Sequence, residues 1–182
     1  VNIMEVFAMF RLSDWSNPTV DIVPLFETVS DLENAESVMK AVYQNKNYRN
    51  HLSKRNNEQT IMLGFSDGTK DGGYLMANWS ILKAKESLTT ISRKFGVKVI
   101  FFDGRGGPPA RGGGNTNKFY ASLGDFVESD QIQMTVQGQT ISSNFGTIDS
   151  CQYNLEQLLS AGIQNRVLNY KDNNTTIYEK KL

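Results

Sequence analysis

Three short runs of β-branched, aromatic and other apolar residues start near residues 20, 60 and 97: VDIVPLF, TIMLGF and VKVIFF. Each has the length and composition of a buried strand, and what separates them is helical in its periodicity. Between the first two, Leu32, Ala35, Val38, Met39 and Val42 form one face, and Ser30 stands a capping-box distance before Glu33, which predicts a helix over 30–44. Between the second and third, a long helix is expected to follow SDGTKDGG and to turn Leu75, Met76, Trp79, Leu82, Leu88, Ile91 and Phe95 inward. Gly96 ends it. Strand, helix, strand, helix, strand in this order means parallel strands joined by helical crossovers, an α/β fold.

The flanking segments are less strongly patterned. Residues 3–12 are apolar all round, as at the end of a buried helix, and Asn17-Pro18 breaks the polar connection that follows. Residues 46–58 are polar, one helical turn and a loop, with the single histidine, His51, expected on the solvated surface. Residues 115–123 read as a short helix, 131–136 and 140–142 as short strands, 149–161 as a last helix, and 165–182 as a polar, frayed end.

Composition limits the partners. Lys plus Arg equals Asp plus Glu at 19 each, so bulk charge recommends neither nucleic acid nor an anionic membrane. No run reaches membrane-spanning length and no secretory signal is visible, while the one cysteine, Cys151, suits a reducing, cytoplasmic setting. The Asn78 sequon is then an accident of composition. The chain starts without methionine and in mid-pattern, as expected of a single piece of a larger catalytic domain.

The third run opens into GRGGPPARGGG, which holds six of the 15 glycines. Such a loop brings backbone N–H groups close to a ligand, and Arg105 and Arg111 add planar forks suited to phosphate or carboxylate. Each run also stops on a carboxylate: Glu27, Asp67 and Asp103. Parallel strands place such positions on one carboxyl edge, where carboxylates without His or Cys favour Mg²⁺ or Mn²⁺. Each acid is equally explained as a helix N-cap or first-turn residue; three in a row beside Lys70, Arg105 and Arg111 tip the balance toward a site.

IMLGFSDGTKDGG resembles a signature of phosphoenolpyruvate carboxylase. The similarity continues through VPLFETVSDLENAESVM before it and FFDGRGGPPARGGG and VQGQTISSNFG after it, in that family's order over residues 21–146. The resemblance implies parallel βα units forming part of a (β/α)₈ TIM-like barrel with additional helices. The implied reaction condenses phosphoenolpyruvate with bicarbonate to oxaloacetate and phosphate, through carboxyphosphate and a metal-stabilised enolate of pyruvate. Glu27 and Asp67 match metal-binding carboxylates and Arg105 matches the arginine that grips the substrate phosphate, beside Gly106 and Gly107. Lys70 and Arg111 match cations at the bicarbonate end, and Arg111 also matches a loop residue linked to inhibitory dicarboxylates. The cofactor would be Mg²⁺ or Mn²⁺, and the parent chain a homotetramer acting without nucleic acid or membrane.

The chain departs from the family at Phe65 and Gly68, usually Tyr and Ser, and at Asp103, usually His. An ionised Asp103 repels phosphate, so it is neutralised by Arg105, joins the metal shell or turns away. The T-A-H-P-T motif is not among these residues. Without its remaining barrel units the piece is expected to be inactive. Two other functions fit the same features: another Mg²⁺-dependent barrel enzyme acting on phosphorylated enolates, and a non-catalytic module with an RNA-binding RGG loop.

Overall fold

A computed structural model describes residues 2–106, 113–124, 126–136 and 138–179. Four strands, β1 (Leu25–Phe26), β2 (Glu58–Gly64), β3 (Lys98–Gly104) and β4 (Ile132–Met134), form one sheet in the order β1-β2-β3-β4, every pairing parallel. Spatial order follows chain order without the reversal that marks a doubly wound sheet, so the winding is that of a (β/α) barrel. The sheet is not closed.

Helix α1 (Asn2–Leu12) precedes the sheet, α2 (Val29–Gln44) and α3 (Lys46–Ser53) connect β1 to β2, and α4 (Ser66–Lys94) connects β2 to β3. A short α5 (Thr116–Ala121) leads toward β4, and α6 (Gln139–Phe145) and α7 (Ile148–Glu179) follow. Among the described residues no helix is long and apolar enough to cross a membrane.

One face of the sheet carries Ile61, Leu63, Val99 and Phe101, and these join Leu32, Ala35, Met39, Ile81 and Leu88 of α2 and α4 in the core. The other face carries Thr60, Met62, Ile100 and Phe102, since side chains alternate along a strand.

The first strand is shorter than the expected 20–26. Pro24 accepts from the Met62 N–H through its carbonyl but has no N–H to give, and Val20 and Val23 are exposed. The α2 cap is Thr28 rather than Ser30: its hydroxyl accepts from the Asp31 N–H, and Asp31 returns the bond to the Thr28 N–H. Helix α1 buries Ile3, packs Val6, Phe7 and Phe10 partly against the core and exposes Met9 and Leu12, so one face is covered rather than the whole helix.

His51 is buried, not solvated. It lies edge-on to Phe7 at 5.2 Å, and burial, then the charge of Lys54, lower its pKa against a hydrogen bond to the Pro18 carbonyl. The expected strand at 140–142 belongs to α6, which packs on α7 and so overrides the β preference of Thr140 and Ile141. Helix α7 also continues past 161 to Glu179; neither Gly nor Pro follows Gly162 to stop it.

Candidate active site at the carboxyl edge

Register fixes which side chains can meet. Phe26 pairs with Leu63, Leu63 with Asp103 and Asp103 with Met134, so these residues form one row across the sheet. Leu63 belongs to the helix-covered face, and Asp103 shares it. The next row contains Glu27, just beyond β1, with Gly64 and Gly104, and it lies on the opposite face.

Glycine at position 64 makes room for Glu27. A Cβ there would stand 2.6 Å from Glu27 Cβ and 3.2 Å from its Cα. Asp67 stands in the first turn of α4, where the helix dipole favours an acid. Lys70, one turn on, donates from Nζ to Asp67 Oδ1 at 2.7 Å. Asp71 reaches across to α2, its Oδ2 accepting from the Val29 N–H at 3.2 Å, and ties the segment carrying Glu27 to the start of α4.

The two acids of this edge act on each other. Burial first, then the charge of Asp67 and a hydrogen bond between the two carboxyls, hold the Glu27 pKa above its ordinary value; Asp31 adds to this and Lys70 opposes it. A divalent cation between them would reverse that repulsion. Among the described residues no group of three or more His, Cys, Asp or Glu gathers, so the donor set is this oxygen pair. That set suits Mg²⁺, which binds through one or two carboxylates and completes its shell with water and substrate oxygens.

Arg105 leaves β3 on the adjacent strand. Its guanidinium carbon lies 4.0 Å from the centre of the Phe119 ring, and its carbonyl accepts from Thr135 Oγ1 at 2.6 Å. Arg105 and Gly106 line a cavity of ≈ 80 Å³ with Gly113, Gly114, Thr116 and Thr135. Gly107 and Arg111 lie outside the described residues.

The three strand-end acids therefore do not form one cluster: Glu27 and Asp67 come together and Asp103 does not join them. Its side chain is fully buried on the helix side of the sheet, between Lys85 of α4 and Tyr120 of α5. Lys85 Nζ lies 2.8 Å from Oδ1 and 2.9 Å from Oδ2, and the Tyr120 hydroxyl donates to Oδ2 at 2.8 Å. Of the three fates open to it, Asp103 has turned away, and its counter-charge is Lys85.

The residues that hold Asp103 escaped the sequence reading, although one signal was present. Lys85 interrupts the stripe made by Ile81, Ala84 and Leu88, and a charge on a buried stripe demands a partner. The only acid within β3 is Asp103.

A comparison with models of protein families matches residues 1–182 to the family described as phosphoenolpyruvate carboxylase.

Proposed function

The chain belongs to the phosphoenolpyruvate carboxylase family, and from that premise we propose that its sheet edge forms the metal- and phosphate-binding part of a site that condenses phosphoenolpyruvate with bicarbonate to oxaloacetate and phosphate. The observation that carries this reading is the pairing of Glu27 with Asp67, beside Lys70, on the edge from which Arg105 also emerges.

In this reading Glu27 and Asp67 hold Mg²⁺ or Mn²⁺, which when bound supplies a Lewis acid for negative charge developing on oxygen. Arg105 binds the phosphoryl group of phosphoenolpyruvate through its planar fork, and Gly106 and Gly107 are assigned to the same substrate end. Lys70 and Arg111 take the bicarbonate end, where the phosphoryl group is received to give carboxyphosphate and the enolate of pyruvate. Carboxyphosphate then releases phosphate and carbon dioxide, and the enolate carbon attacks the carbon dioxide to form oxaloacetate. Each cation stabilises charge that shifts between oxygens during transfer, which is where electrostatic catalysis acts. Arg111 also receives inhibitory dicarboxylates. The working enzyme is a cytoplasmic homotetramer whose subunit supplies the remaining barrel strands.

Mn²⁺ titration and coupled oxaloacetate assays on the full-length enzyme test the reading. Asp67→Asn and Glu27→Gln are each expected to weaken Mn²⁺ binding about tenfold or more and to abolish most turnover. Unaltered Mn²⁺ affinity in both variants would place the metal elsewhere.

A further inference from the structure

Lys85 is the only charged residue among the buried residues of α4, and its ammonium is out of reach of water. Such a group is retained where a fixed negative charge has to be answered. Here that charge is Asp103, gripped through both oxygens by Lys85 and through Oδ2 by Tyr120.

Two residues beyond Asp103 stands Arg105, against the same aromatic patch. Its guanidinium lies 4.0 Å from the Phe119 centroid and 6.0 Å from that of Tyr120, while Lys85 Nζ lies 5.4 Å and 5.8 Å from the same two rings. Asp103 and the Tyr120 hydroxyl also act on Arg105 electrostatically, so the four groups form one buried unit. It contains two cations and one carboxylate.

We propose that Lys85 and Tyr120 are positioning residues for the phosphate end of the substrate: they hold the Asp103 carboxylate on the helix side of the sheet and so fix Arg105 in its place over Phe119. This rests on Arg105 being the phosphate ligand. Were Lys85 neutral, Arg105, which already feels the Asp103 charge, would be drawn toward it, and a guanidinium drawn onto an internal carboxylate is lost as a fork for phosphate. The Asp103 carboxylate can stand this close to the phosphate end because a lysine on the facing helix cancels its charge.

Steady-state kinetics of the full-length enzyme provide the test, with KM for bicarbonate as the internal control. Tyr120→Phe, which removes one oxygen and keeps the ion pair, is expected to raise KM for phosphoenolpyruvate about threefold with kcat nearly unchanged. Lys85→Met is expected to raise it about tenfold or more. Lys85→Met combined with Asp103→Asn removes both charges and is expected to return KM to within about threefold of the parent enzyme.

An unchanged KM for phosphoenolpyruvate in Tyr120→Phe and Lys85→Met would overturn the inference. So would a double variant no better than Lys85→Met, or an equal rise in both substrates' KM. If Lys85→Met does not accumulate as folded protein, Tyr120→Phe decides alone. The site reading fails separately: it falls if Arg105→Ala leaves KM for phosphoenolpyruvate untouched, whereas the inference falls alone if that variant is impaired and the Tyr120 and Lys85 variants are not.

Discussion

Gly64 determines how close Glu27 can stand to its neighbours. A methyl group there would meet Glu27 Cβ at 2.6 Å, well inside contact distance, and the Glu27 Cα at 3.2 Å keeps the main chain from yielding easily. Gly64→Ala is therefore expected to cost about 1–3 kcal/mol by urea denaturation, the range for overpacking. It should also weaken Mn²⁺ binding by displacing Glu27, while a substitution at exposed Lys118 on α5 should do neither. Glu27 and Asp67 could be picked out in the sequence because each stands at the end of an apolar run, Glu27 directly after Phe26 and Asp67 one residue beyond Phe65. The fate of Asp103 could not, because KVIFFDG has no alternation of polar and apolar residues from which to read which face each side chain takes. The pairing of Asp103 with Leu63 and its contacts with Lys85 and Tyr120 show that it faces the helices.

At the scale of elements, α4 holds the site together and also misled the sequence reading. It is two helical pieces joined at Gly73, whose backbone (φ 78°, ψ 169°) is open to glycine and hardly to anything else. The first piece carries Asp67, Lys70 and Asp71; the second carries Lys85. Gly73→Ala is expected to destabilise the protein by about 1–3 kcal/mol and, by re-aiming the first piece, to lower Mn²⁺ affinity as well. Denaturation and metal titration on the same variant measure both effects. The expected inward face held at Leu82, Leu88, Ile91 and Phe95, which are buried in the core or packed against it, but failed in the first turns after Gly73: Leu75 is 82% exposed and Trp79 55%. The buried stripe of this part is Ala77, Ser80, Ile81 and Ala84. Small residues let α4 lie close to α2 and the sheet, so side-chain size pointed to the wrong face. The short α2 and β2 signals were legible because there the large apolar residues and the packed face largely coincide: of the expected α2 face, Leu32, Ala35, Met39 and Val42 are buried and Val38 is exposed.

For the whole molecule, the succession of strands and crossovers was readable and the degree of closure was not. Four parallel strands in chain order make an open sheet, with the face of Thr60, Met62, Ile100 and Phe102 turned toward what would be a barrel interior. A (β/α) barrel closes with about eight strands, and until it does, the Glu27–Asp67 edge remains open to water. Carboxyphosphate and an enolate both react with water or its protons, so productive transfer needs an enclosed site. The two carboxylates and Lys70, by contrast, come from the residue after β1 and from the start of α4, which follows β2, all within this chain. Metal binding and turnover should therefore separate: the 182-residue chain is expected to bind Mn²⁺ weakly, with that binding lost in Asp67→Asn, and to release no phosphate from phosphoenolpyruvate and bicarbonate. The full-length enzyme should do both. Phosphate release by the 182-residue chain alone would mean that four strands suffice to exclude water. Loss of Mn²⁺ binding in a folded 182-residue chain would mean instead that the Glu27–Asp67 pair is set by contacts this sheet does not contain.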